Sequence, residues 1–409
     1  MGTSLKDRCR VATNFDADTF VGIKMEKGQV DVSFPIGYDL SDLDDEKLIR
    51  NDILVLMSSL ARFSEKRDGI ITEYRDGDNL SNFPIKSYLY VIKDYLSNGY
   101  YHEKEIKYDD KSKGKISWKR TIQQKQPSVS NNSIVYLDVI KKTEVTNYET
   151  YIAKIHEYCV YISFLKLGWI YTEYVPSKPN IDFNQRAFSA VIKQQLSVSF
   201  DDKKKLLFLA MLDVVNSIEN QDDVNSDFTY GTHRFEYVWE NMIDFVFGEN
   251  NKDYYFPHAT WTLIEESKER QSSALEPDTI MLFENNAYIL DAKYYKYGIT
   301  KNANDLPATA SVNKQLTYAD YLFGDSHPST YSSIYNAFIM PFNMRKENDA
   351  YIKFVGFSTG DWRISNGEKY ENIYAILIDV KYLMSMQFKH DEEEISKLAE
   401  FIDKIEIDQ

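Results

Sequence analysis

The chain has 409 residues, of which 43% are hydrophobic and 14% aromatic. That is enough for two or three domains with cores of their own, and too apolar for a mainly disordered protein. A net charge of −15 counts against a nucleic-acid partner, because phosphate neutralisation supplies much of that affinity, although local distribution can override the total. Two cysteines, Cys9 and Cys159, exclude a disulfide framework and a thiolate zinc cluster, so a reducing compartment, the cytoplasm, is expected.

The first twenty residues carry no apolar leader core, and no later segment reaches the roughly 18 to 20 apolar residues that a membrane crossing needs. Residues 19–36 read as two short strands about a turn at Gly28. An amphipathic helix with acids at its start follows over 45–66, and a second ends at Asn98-Gly99.

"GKISWKRTI" and "SIVYLDVIKKTEV" read as strands on either side of a polar loop over 126–133. The run Lys111 to Lys125 holds Lys113, Lys115, Lys119 and Arg120 and no acid. It is either a solvated loop and strand or a surface that contacts phosphates. Residues 148–169 and 201–220 read as helices, the second with an apolar stripe of Leu206, Leu209, Ala210, Leu212 and Val215. The polar run 219–234 is the strongest candidate boundary, since the order beyond it is that of an α/β domain.

The chemistry-bearing stretch is Glu276-Pro277-Asp278, an apolar segment over 279–283, a turn at Asn285-Asn286, and a second segment over 287–295 containing Asp291-Ala292-Lys293. Short apolar segments about a tight turn form adjacent antiparallel strands. Such pairing sets Asp278 beside Asp291. Strand side chains alternate, so Asp291 and Lys293 share a face at about 6 to 7 Å while Ala292 faces the packing. Two carboxylates and the Ala292 carbonyl are hard oxygen donors suited to Mg²⁺, with Mn²⁺ as its substitute. A lysine beside them fits metal-assisted hydrolysis without a covalent intermediate. Asp379-Val380-Lys381 repeats the spacing without a Pro-Asp strand before it and serves as an internal control.

Pro277-Asp278 followed by Asp291-Ala292-Lys293 resembles the PD-(D/E)xK nuclease superfamily. The resemblance implies a further acid from the preceding helix, "HRFEYVWENMIDFVFG", whose core stripe reads Phe235, Val238, Trp239, Met242, Phe245 and Val246. Glu240 fits that role, with Glu236 one turn earlier as the alternative. "NKQLTYADYL" is similar to the Gln-x-x-Tyr helix of several branches, which implies DNA contacts from Gln315 and Tyr318; the plain alternative is core packing.

More narrowly, "FVGI", "VSFPIG", "VWE", "ILDAKYY", "KQLTY" and "NAFIMPF" are similar to LlaJI-like restriction endonucleases. That resemblance implies an α/β nuclease core, a mixed sheet flanked by helices, over 223–409. Before it stands an α+β region that reads DNA or acts as an effector over 1–222, divisible into 1–142 and 143–222. It also implies double-stranded DNA as substrate, a homodimer on DNA for cutting both strands, and a cognate methyltransferase. Some relatives depend on a separate nucleotide-hydrolysing translocase. This chain has no G-x-x-x-x-G-K-[ST] loop, so such a motor would be another polypeptide.

Overall fold

The computed structural model describes residues 5–15, 18–26, 28–41, 44–68, 83–111, 113–130, 133–218, 227–264, 268–324, 331–346, 350–386 and 390–407. The fold is mixed α/β. Residues 1–82 and 227–409 pack as one compact unit, and residues 83–226 as a second.

The first unit is organised by a five-stranded sheet in the order Thr279–Phe283, Asn286–Ala292, Ser333–Phe342, Ile373–Asp379, Ile352–Ser358. The outer pairs are antiparallel and the inner ones parallel. The central strand, "SIYNAFIMPF", is buried along nearly its whole length, as a strand covered on both faces must be. Helices Phe235–Phe247, Thr309–Phe323 and Glu392–Ile407 pack against this sheet.

A second sheet runs Cys9–Val11, Gln29–Phe34, Val21–Glu26, Phe228–Thr232. It ties the N-terminal segment to the C-terminal half. Gly22 pairs directly with Gly231, and a Cβ on Gly22 would lie 2.2 Å from the Tyr230 carbonyl oxygen. Only glycine allows so close a backbone approach.

The second unit holds helices Ile85–Asn98, Tyr151–Leu167, Gln185–Val198 and Asp202–Asn216. Tyr88, Ile155, Phe164, Phe188 and Phe208 lie sealed in its core. Beside them stand a small sheet ordered Glu103–Asp109, Lys141–Asn147, Lys115–Ile116, a hairpin of Ser128–Ser130 with Ser133–Val135, and a short helix, Trp118–Gln124.

Several local expectations are corrected. "GKISWKRTI" is a two-residue strand followed by a helix. The turn before the second motif strand is Glu284-Asn285, with Glu284 at a left-handed φ of 52°. In Asp202–Asn216 the buried face runs through Leu207, Phe208, Ala210, Met211, Val214 and Val215, whereas Leu206 and Leu209 are about half exposed. Phe245 lies outside the buried stripe of its helix, and Ile243 and Phe247 lie within it.

The expected boundary at 222/223 falls outside the described residues. By packing, residues 1–82 join the C-terminal half. The finer boundary at 142/143 falls inside the strand Lys141–Asn147.

Candidate active site

The site is built on the hairpin at the edge of the five-stranded sheet. Thr279 pairs with Leu290, so the register brings Asp278 opposite Asp291. The Asp278 carboxylate accepts from the Ala292 main-chain N–H at 3.0 Å. Ala292 is buried, and Lys293 returns to the side of Asp291, its Nζ 2.6 Å from Asp291 Oδ2. The expected alternation holds at all three positions.

The helix Phe235–Phe247 supplies the third acid. The Lys293 main-chain N–H and the Trp239 indole N–H both donate to the Ile339 carbonyl, at 2.9 and 3.2 Å. That shared acceptor locks the helix against the motif strand one residue before Glu240. Glu236 is engaged elsewhere, accepting from Arg234 Nε at 3.2 Å.

Glu240, Asp278, Asp291 and Lys293 are near enough to act on one another's charge. Burial pushes the Glu240 carboxyl up to about 7; Asp291 and Glu236 add to the rise, while Lys293 and Arg234 oppose it. Asp278 is held well above the ordinary carboxylate range, first by burial, then by the charge and hydrogen bond of Asp291 and the charge of Glu240. Burial lowers Lys293, but Asp291 and Asp278 outweigh it and keep the ammonium above its usual value. Three carboxyl groups share one ammonium in a partly desolvated place, so two of them hold their protons tightly unless a further cation joins them.

The donors are all hard oxygens, the chemistry that suits Mg²⁺, which needs only one or two carboxylates and keeps several waters. Asp278, Asp291, the Ala292 carbonyl and Glu240 are the atoms that would hold it. Among the described residues, no group of three or more His, Cys, Asp or Glu side chains stands ready to hold a metal ion. The Asp291–Lys293 contact occupies one of the candidate oxygens.

A family model described as LlaJI restriction endonuclease matches residues 20–402. The chain belongs to the LlaJI restriction endonuclease family. Membership makes it a restriction-type endonuclease and therefore a DNA-binding protein. No curated protein matches the chain. Among solved structures it is similar to a chain of the half-complex of Thermococcus gammatolerans McrB AAA+ hexamers with bound McrC. That match covers 90% of this chain and 81% of the other, at 12% identity and a TM-score of 0.36.

The remaining residues singled out in the sequence take structural places: Tyr318 borders the carboxylate cluster, Gln315 bonds the neighbouring strand, and the basic run belongs to the second unit. Gln315 is fully buried beneath its helix, with Nε2 donating to the Ala337 carbonyl at 3.4 Å and Oε1 without a partner. Tyr318 is buried too; its hydroxyl donates to the Glu276 carbonyl at 3.1 Å. Burial, then Asp291, Asp278 and Glu276, push that hydroxyl up to about 12. Both side chains tie their helix to the sheet and its entry segment and, being buried, offer DNA almost no surface.

Lys113, Lys115, Lys119 and Arg120 are all exposed and belong to the second unit. There Tyr108, Lys142 and Lys115 form one row across three strands, and the Arg120 guanidinium lies 3.7 Å from the Tyr108 ring centroid.

Two residues near the site carry no sequence signal of their own. Asp244 stands one turn beyond Glu240, and Lys252 lies in the loop that follows. Only the helical spacing of Glu240 and Asp244 hints that the second acid faces the same way.

Proposed function

We propose that this protein is a Mg²⁺-dependent type II restriction endonuclease that hydrolyses phosphodiester bonds in double-stranded DNA. The observation that carries the reading is the convergence of Asp278, Asp291 and Glu240 on Lys293. Nothing in the packing of a hairpin calls for that cluster, and burying it without a compensating ion costs stability.

When bound, the metal ion would polarise the scissile phosphate and lower the pKa of a coordinated water. Asp278, Asp291, the Ala292 carbonyl and Glu240 would hold it. Lys293 would offset the negative charge that grows on the phosphorus oxygens as water attacks. Glu240, presented by the neighbouring helix, would close the donor set from the side opposite the hairpin. Gln315 and Tyr318 would tie their helix to the sheet and its entry segment. The exposed Lys113, Lys115, Lys119 and Arg120 would grip the DNA backbone. Two copies would act together to cut both strands, and a methyltransferase would protect host sites.

A second reading makes the chain the nuclease subunit of a complex with a separate nucleotide-hydrolysing translocase. It is favoured by the exposed apolar surface of the second unit, where Trp118, Ile122, Val129, Ile134 and Leu137 each expose more than half of their area. If these side chains form one patch, it would suit a protein contact.

The test is cleavage of unmethylated phage and plasmid DNA with Mg²⁺ and no nucleotide, comparing wild type with Asp291→Asn and Lys293→Ala. Discrete fragments from wild type only, with a loss of about 10³-fold or more in the variants, support the first reading. Cleavage that appears only with a partner and a nucleoside triphosphate supports the second. Equal cutting by wild type and both variants would remove the proposed centre.

A further inference from the structure

The corner that carries Asp278 is held by more than its own strand. Lys252 Nζ donates to the Asp278 main-chain carbonyl at 2.7 Å and forms an ion pair with the Asp244 carboxylate. Both side chains are largely withdrawn from solvent, with 21% and 15% exposed. Thr279 Oγ1 donates to the same Asp244 carboxylate at 3.5 Å, and Glu249 N–H donates to the Ile280 carbonyl at 2.8 Å. Asp244 shares its helix with Glu240, four residues earlier. One helix thus presents an acid to the cluster and, a turn later, an acid that anchors a lysine against the strand opposite. An open cleft of about 670 Å³ adjoins this corner, lined by Asp244, Lys252, Glu276 and Asp278 among others.

This arrangement answers a physical problem. Asp278 lies beside Asp291 at the mouth of the hairpin, and a cation held between their oxygens needs the Pro277–Asp278 corner fixed in place. The hydrogen bond from Ala292 restrains the carboxylate, but the main chain needs a restraint as well. The Lys252 ammonium supplies it at the carbonyl, and Asp244 keeps that ammonium in place. Neither residue lies among the groups proposed to touch metal or DNA.

We infer that Lys252, anchored by Asp244, is a positioning residue that holds the Asp278 corner in the geometry needed to bind the divalent cation. The inference rests on the reading of the site as a metal-dependent nuclease centre. Its effect runs through Asp278 and is therefore felt in cation affinity and turnover, not in DNA affinity.

The test compares wild type, Lys252→Met, Lys252→Arg and Asp244→Asn by Mn²⁺ titration calorimetry, by DNA affinity in Ca²⁺, and by cleavage in Mg²⁺ per folded molecule. Lys252→Met is expected to weaken Mn²⁺ binding and slow cleavage about 10-fold or more, with DNA affinity unchanged. Lys252→Arg, which keeps the charge and the donor, recovers most of both. Adding Asp244→Asn to Lys252→Met costs little further, because the two act as one unit.

Should Lys252→Met not fold, Thr279→Val and Asp244→Asn make the same comparison from the other end of the tie. A Lys252→Met protein with a lower Tm but wild-type Mn²⁺ affinity and wild-type cleavage would overturn the positioning role and leave the nuclease reading intact. A wild type that binds no Mn²⁺ and cuts no DNA, alone or with a partner, would overturn both.

Discussion

Lys381 Nζ lies 2.8 Å from Oδ1 of Asp52, a carboxylate with 1% of its side chain exposed. Tyr38 hydroxyl and the Ser41 N–H also donate to Asp52, at 3.2 and 2.8 Å, and Lys381 donates to the Asp39 carbonyl and Ser41 Oγ. In the same Asp-x-Lys spelling, Asp379 caps the helix Val380–Ser385, accepting from Tyr382 N–H at 2.7 Å and Met344 N–H at 2.9 Å. The two copies of the motif have parted: Asp291-Ala292-Lys293 closes a strand beside two further carboxyl groups, whereas the Asp379 and Lys381 side chains of the later copy are bonded to structural partners.

Lys381→Met should therefore destabilise the protein by about 3 kcal/mol or more, because it strands a buried carboxylate. Cleavage per folded molecule should stay at the wild-type rate. Denaturant unfolding alongside the DNA assay checks this, and a catalytic loss without a stability loss would contradict the assignment.

Glu240 and Glu236 are one turn apart but differ in surroundings. Glu240→Gln should lower cleavage by about 10²-fold, since it removes a carboxylate from the cluster. Glu236→Gln breaks only a half-exposed contact with Arg234 and should change cleavage less than about 3-fold. The reverse ranking would move the site one turn along the helix.

The two units should respond to pH with opposite signs. A carboxyl raised by folding binds its proton more tightly in the native state, so its stabilisation is present at low pH and is lost as pH rises. Metal-free protein should accordingly lose stability from about pH 4.5 to 7 as Glu240 ionises, with Asp278 extending the loss in the same direction. Mg²⁺ should offset most of that loss. Asp278→Asn should flatten the slope seen without metal.

In the second unit the sign is reversed. His156 is fully buried, its Nδ1 accepting from Tyr101 N–H at 3.0 Å, and burial lowers it to about 4. Its contribution is present above about pH 6.5 and lost as pH falls toward 4, amounting to about 3 kcal/mol. Hydrogen exchange along Tyr151–Leu167 as a function of pH reads this separately from the first unit. Protection unchanged down to pH 4 would count against it.

DNA affinity should fall steeply with salt. If Lys113, Lys115, Lys119 and Arg120 contact phosphates, each alanine substitution should reduce the log–log salt slope by about 0.9. Lys125 is already paired with Asp110 at 2.7 Å, so Lys125→Ala should reduce it less. Unchanged slopes for all four would point to a different DNA surface.

The sequence by itself determined what rests on neighbouring residues. Alternation over 286–293 set Asp291 and Lys293 on one side and Ala292 in the packing, and the short turn brought Asp278 opposite Asp291. The helix that carries Glu240 was legible from its apolar spacing, although Phe245 and Ile243 exchanged places in its stripe.

Other features were decided by contacts between distant segments. Val21–Glu26 pairs with Phe228–Thr232 through two glycines, which draws residues 1–82 into the C-terminal unit. Lys381 is spoken for by Asp52, 329 positions earlier by number. Lys252 reaches the Asp278 carbonyl, and Glu240 is distinguished from Glu236 by what surrounds each. Local periodicity dictates which way a side chain points, because it follows from backbone geometry alone. Which charge it meets there depends on how the whole chain packs, and that is why the carboxylates were readable in the sequence while their partners emerged only from the fold.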